Sequence, residues 1–170
     1  MLRFELAEKE KDFILIENLA RGIWTQHYKQ ILGNGQIEYM LDKFQSGKAI
    51  KQSVDGGYLY YIMYSDKIPV GYMGLKPDYP EGQMFLSKIY INKEYRGKGY
   101  LRQSLKYISG LCIERGLSSV WLTVNKNNDS YYKYLSLGFK KVRDEVTDIG
   151  NGYVMDDYVM QINLNENELK

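Results

Sequence analysis

The chain has 170 residues, 44% of them hydrophobic and 26% charged, which is enough for one domain with a substantial core. A formal charge of +2, with lysines and arginines spread along the chain, excludes the basic patch of a nucleic-acid binder. The single cysteine, Cys112, excludes an intramolecular disulfide, and no apolar run approaches the roughly 20 residues that span a bilayer. Met1-Leu2-Arg3-Phe4-Glu5 lacks the apolar core of a signal peptide, so a cytoplasmic protein of one domain, residues 1–170, with no membrane partner is expected.

Leu2 to Leu6 alternates apolar and polar residues and predicts a first strand, followed to about Leu32 by helical spacing at Phe13, Ile16, Leu19, Ala20 and Ile23. Gly33-Asn34-Gly35 reads as its stop. Ile37, Met40, Leu41 and Phe44 mark a second helix ending at Gly47, with a brief resumption over Lys48 to Ser53. Tyr58 to Tyr64 and Ile68 to Leu75 predict a hairpin of two interior strands, and Met84 to Ile91 a third strand after a turn at Pro77 to Gly82. Most of the 17 tyrosines, clustered at Tyr58 to Tyr64 and Tyr131 to Tyr134, are expected on half-buried strands or in a cleft.

The third strand is expected to run directly into Arg96-Gly97-Lys98-Gly99, after which Leu101, Leu105, Ile108, Leu111 and Cys112 form the apolar stripe of a helix closed by Gly116. A strand at Val120 to Val124, a helix at Ser130 to Leu137 and strands near Lys140 to Val146 and Tyr153 to Asn163 complete the order. This is an α+β chain, a mixed sandwich with about seven mostly antiparallel strands. The helix joining strands 4 and 5 makes that pair parallel, and about four helices flank the sheet.

The turn from Arg96 to Arg102 carries the chemistry. Two glycines let backbone amides turn outward where a helix opens, and free N–H groups with the positive helix end suit a pyrophosphate. Lys98 and Arg102 add charge at the rim. A bare Gly-x-Gly also fits an ordinary strand-to-helix turn. A phosphate loop of the Gly-Lys-Ser/Thr type does not fit the spacing, and a dinucleotide turn lacks its third glycine because Arg102 stands there.

Arg96-x-x-Gly99 resembles the acetyl-CoA signature of the Gcn5-related N-acetyltransferase family, with Leu101 where a small residue is usual. A second segment, Asn127 to Phe139, resembles the family's Asn-x-x-Ala/Ser-x-x-x-Tyr-x-x-x-Gly-Phe spacing at Asn127, Ser130, Tyr134, Gly138 and Phe139. The closing segment Gly150 to Tyr158 loosely resembles bacterial polyamine-type members. The resemblance implies a single N-acetyltransferase domain that transfers an acetyl group from acetyl-CoA, without a metal, to the primary amine of a small molecule: polyamine-like, amino-sugar or amino-acid-like. The alternative is a regulatory member that holds acyl-CoA without transfer.

It further implies that Ile89, Tyr90 and Ile91 pair with the pantetheine. The cradle Arg96, Gly97, Lys98, Gly99, Tyr100, Leu101 and Arg102 takes the pyrophosphate, and Asn127 contacts the cofactor arm, where helix capping is the other reading. Tyr134 becomes the proton donor to the leaving sulfur. No residue is identified as the base: the family's glutamate position falls at Ser87 or Lys88. Trp24, His27, Tyr28 and Asp156, with Tyr39, Met40 and Asp157, are the acceptor-site candidates, and His27 and Asp156 have solvated or structural readings as well. Cys112 reads as core. The expected partners are the amine and, at most, a second copy of the chain in a homodimer.

Overall fold

In the computed structural model, which describes residues 1–164, β1 (Leu2–Leu6) passes into α1 (Glu10–Tyr28). The Asp12 carboxylate accepts the Glu8 and Lys9 backbone N–H groups at 3.1 and 2.9 Å, which fixes where α1 begins. The buried residues Phe13, Ile16, Ala20, Ile23, Trp24 and Tyr28 recur at three- and four-residue spacing and form its inward stripe. The helix ends at Tyr28, short of Leu32, and a last turn follows in which the Tyr28 carbonyl accepts both the Ile31 and the Leu32 N–H at 2.9 and 2.8 Å.

Gly33 is not the stop of the first helix but the N-cap of the second, α2 (Asn34–Gln45). Gly47, expected to end that helix, opens a third, α3 (Gly47–Asp55). The break is at Ser46, held extended at ψ 152°, whose hydroxyl accepts the Ala49 N–H at 3.2 Å while Glu17 Oε2 accepts the Gly47 N–H at 2.9 Å. Those two bonds replace continued helix with a capped restart. The brief resumption is therefore a helix in its own right.

The remaining elements are β2 (Leu59–Ser65), β3 (Ile68–Pro77), β4 (Gln83–Ile91), a 3-10 turn (Lys93–Tyr95), α4 (Tyr100–Arg115), β5 (Ser119–Asn125), α5 (Ser130–Ser136), β6 (Lys140–Gly150) and β7 (Tyr153–Asn163). With α3 counted there are five helices among the described residues. The seven strands form one mixed sheet in the order β1-β2-β3-β4-β5-β7-β6, with β4 and β5 parallel and Met84 beside Val120. The crossover through α4 requires that parallel pair.

The chain divides into two compact units. One comprises Met1–Lys76 with Lys88–Ser104, and its core includes Ile16, Ile50, Tyr60, Ile62, Tyr72 and Leu75. The other comprises Pro77–Ser87 and the described residues from Leu105 onward, with Leu105, Ile108, Cys112, Leu122, Phe139 and Met160 in its core. Burial pushes the Cys112 thiol up to about 11, as expected of a core cysteine rather than a nucleophile. No helix among the described residues is long and apolar enough to cross a membrane.

Candidate active site

The glycine turn belongs to the first unit. β4 does not run straight into it: Asn92 caps the intervening 3-10 turn, its Oδ1 accepting the Glu94 N–H at 3.4 Å. Gly97 and Gly99 both have left-handed backbones, φ 76° and 74°, which a side chain resists. A Cβ at either would meet nothing within 4 Å, so backbone conformation and not crowding demands glycine there. Gly97, Lys98 and Gly99 are exposed, and the Gly99 carbonyl accepts the Gln103 N–H at 3.1 Å as α4 begins. The first amides of a helix have no carbonyl four residues back, so this end presents donors and positive potential to an open space.

Two side chains fix the turn from beneath. Arg96 does not project outward: its Nε donates to the Ile91 carbonyl at 3.0 Å, and burial holds the guanidinium below its usual range. Tyr100 is buried, with its hydroxyl 2.8 Å from Ser65 Oγ, and its carbonyl accepts the Ser104 hydroxyl at 2.8 Å. Lys98 lies over the Tyr95 ring at 5.0 Å, Arg102 is exposed and Leu101 half-buried.

The end of β4 approaches β3 closely. A Cβ at Gly71 on β3 would collide with the Tyr90 carbonyl oxygen and lie 3.1 Å from Ile91 Cα, so the Tyr90–Ile91 peptide leans over a position that only glycine leaves open. The Asn92 N–H donates at 2.8 Å to the Val70 carbonyl. Ile89, Tyr90 and Ile91 are all half-buried.

One face of this unit is lined by aromatic side chains that bond to one another. The Trp24 indole donates to Tyr72 Oη at 3.1 Å, and Tyr72 in turn donates to Gln45 Oε1 at 2.8 Å. Tyr90 packs against Trp24 and Tyr72 with ring centroids 5.2 and 5.5 Å apart, and its hydroxyl meets that of Tyr28 at 3.2 Å. Tyr72 is fully buried, which raises its phenol well above the ordinary value. Trp24 and Tyr28 are therefore buried members of a bonded cluster, while half-buried His27 sits at its edge against Tyr28, 4.7 Å between ring centres. Met40 is core, and Tyr39 accepts a bond from Lys43 at 3.2 Å.

Lys88 belongs to the same face. Its Nζ donates to Tyr60 Oη at 2.8 Å, and burial lowers the ammonium from 10.5 to about 8. Tyr60, Tyr72 and Gln45 were not singled out in the sequence, where only the isolated glycines of β3, Gly71 and Gly74, signalled close approach.

In the second unit, Asn127 is exposed and its N–H donates to Asn125 Oδ1 at 2.9 Å. The local bond at the start of α5 is made by Asn128, whose Oδ1 accepts the Ser130 N–H at 2.9 Å. Tyr134 is buried edge-on against Phe139 at 5.6 Å. Asp156 is paired with Lys126 at 2.9 Å. Asp157 is buried with Oδ1 lacking a hydrogen-bond partner among the described residues, and burial, reinforced by Glu145 and Asp156, pushes its carboxyl up to about 6.

The chain thus combines a seven-stranded sheet having one parallel pair with an open glycine turn at the helix that joins that pair. Solved structures share this fold across nearly the whole chain. PaiA N-acetyltransferase from Thermoplasma acidophilum, in complex with coenzyme A, has 19% identity and a TM-score of 0.77, covering 96% of this chain and 99% of that one. A GCN5-related N-acetyltransferase from Rhodopseudomonas palustris has 15% identity and a TM-score of 0.79, covering 95% of each chain. The ribosomal-protein-S18-alanine N-acetyltransferase from Escherichia coli has 17% identity and a TM-score of 0.65, covering 98% of each. No curated protein matches in sequence. Residues 19–139 match the model of the acetyltransferase (GNAT) family, and the chain belongs to that family of acyltransferases.

Proposed function

We propose that the protein transfers an acetyl group from acetyl-CoA to the primary amine of a small molecule. The observation that carries this reading is the left-handed pair Gly97 and Gly99 at the mouth of α4, with no described residue within 4 Å of where a Cβ would stand and Arg96 tying it to the end of β4. The amides from Gly97 to Arg102 would hold the pyrophosphate, with Lys98 and Arg102 at the rim, and Ile89 to Ile91 would take the pantetheine arm. Bound acetyl-CoA supplies the activated thioester. Tyr134 would hold a phenolic proton for the leaving sulfur, and Asn127, exposed with its backbone already bonded, would contact the cofactor arm.

Among small amines, an amino-acid-like or amino-sugar acceptor is favoured over a polyamine. Asp156 is already paired with Lys126 at 2.9 Å and so is less available to a second cationic group. Trp24, His27 and Tyr28 would shape the acceptor side of that face. Thiol release from acetyl-CoA, followed with a panel of amino acids, amino sugars and polyamines, tests the proposal. Release that requires an amine is expected. Tight binding of coenzyme A without turnover for any amine would make the chain a regulatory acyl-CoA binder instead, and no binding at all would refute both.

A further inference from the structure

An incoming amine is protonated near neutral pH and must lose a proton before it can attack a thioester. The aromatic face offers several phenols and one amine for that task. Tyr72 has both bonding roles filled, accepting from Trp24 and donating to Gln45. Tyr28 and Tyr90 bond to each other. Burial raises the phenol of Tyr60 to about 12, which makes it a carrier of protons rather than a base at neutral pH.

Lys88 differs in chemistry and in connection. It lies on β4 two residues before Tyr90, and its ammonium sits 2.8 Å from Tyr60 Oη. Tyr60 belongs to β2, with β3 between the two strands. Its ring spans that gap only because Gly74, its register partner, has no side chain: a Cβ there would lie 3.1 Å from the ring. The Tyr60 phenol is also hydrogen-bonded by Ser53 of α3, which is half-buried. Exchangeable protons are thus adjacent from Lys88 Nζ on β4 to Tyr60 Oη on β2, with the Ser53 hydroxyl of α3 beside Tyr60.

The geometry points to Lys88 as the proton acceptor for the incoming amine, with Tyr60 and Ser53 as the relay that returns that proton to solvent. This assignment rests on the acetyl-transfer reading above. The acceptor ammonium gives one proton to neutral Lys88, and its freed lone pair forms the new C–N bond as the C–S bond breaks. The departing sulfur is protonated, and the amine nitrogen sheds its second surplus proton as the amide forms. Each turnover therefore leaves one net proton for Lys88 to pass to Tyr60, while the Tyr60 proton moves on to Ser53. Burial is the cause of the lowered Lys88 value, and the titratable groups that share its face are the phenols of Tyr60 on β2, Tyr72 on β3, Tyr90 on β4 and Tyr28 on α1, with the His27 imidazole at the edge against Tyr28.

Two measurements on the full chain test this. Carbon NMR of ε-labelled lysines, with no ligand present, should show one resonance titrating near pH 8 that disappears in Lys88→Met and persists in Tyr60→Phe. With acetyl-CoA and amine saturating, wild-type turnover should rise through that same ionisation. Lys88→Met should lose about 10²- to 10⁴-fold and flatten the profile, with the KM for acetyl-CoA held within about threefold. Tyr60→Phe, which keeps the ring but breaks the relay and removes an acceptor of the ammonium, should slow turnover about tenfold and move the Lys88 titration downward. A Lys88 resonance that titrates with the ordinary lysines overturns the inference, as does a Lys88→Met chain with unaltered turnover and profile. A titration near pH 8 in a wild-type chain that acetylates no amine overturns the acetyl-transfer reading and the role of Lys88 with it.

Discussion

The glycine turn and the aromatic face lie in the same unit but are built from different materials. The turn is made mainly of backbone: Gly97 and Gly99 have no side chains, Arg96 and Tyr100 turn inward to hold it, and only Lys98 and Arg102 add exposed side chains at its rim. The aromatic face is made of side chains from α1, α2, β2, β3 and β4, bonded one to another through Trp24, Gln45, Tyr60, Tyr72 and Lys88. A backbone site specifies a donor shared by a whole family, and a side-chain site specifies what one member does with it. Substitutions should therefore separate the two, the face affecting turnover and stability and the turn affecting donor affinity.

The largest effect on stability should come from the two buried charges, and their pH dependences should run in opposite directions. Lys88 has its value lowered from 10.5 to about 8, so its cost to the fold is full below pH 8 and fades as pH rises to 10.5. Lys88→Met should stabilise the protein at pH 7 by about 2–3 kcal/mol after allowance for partial exposure, and by little at pH 10.5. Asp157 has its value raised from 3.8 to about 6, so its cost is absent below pH 3.8 and full above pH 6. Asp157→Asn should stabilise by up to about 3 kcal/mol at pH 7 and by nothing at pH 3.5. Urea melts across that range would show both signs, and equal effects at all pH values would mean that neither group is buried as a charge.

A smaller effect is expected at Tyr134. Tyr134→Phe keeps the packing against Phe139 and should lower turnover about 10- to 100-fold while acetyl-CoA binds as before. Unchanged turnover would remove Tyr134 as the proton donor.

The same division explains what could be read from the sequence. Gly97 and Gly99 were legible because a left-handed backbone excludes nearly every other residue, and the Asn127 to Phe139 spacing because one short loop and helix carry it. The helix break at Ser46 had a local signal, a serine able to cap at the third following amide, but the apolar periodicity on either side obscured it. The Lys88–Tyr60 bond had none. Its partners are 28 residues apart on strands that are not neighbours, and it exists only when the register sets Gly74 opposite Tyr60. A lysine in a strand reads as solvated until the structure shows what covers it.

Calorimetric titration of acetyl-CoA into the wild type, Gly99→Val and Lys88→Met tests most directly whether the turn is the donor site. Valine at a left-handed backbone costs roughly 1–2 kcal/mol and blocks the open space over the turn. Gly99→Val should weaken binding about tenfold or more, with Lys88→Met binding as tightly as the wild type. Undiminished affinity in Gly99→Val, with the loss appearing instead in Lys88→Met, would contradict the account.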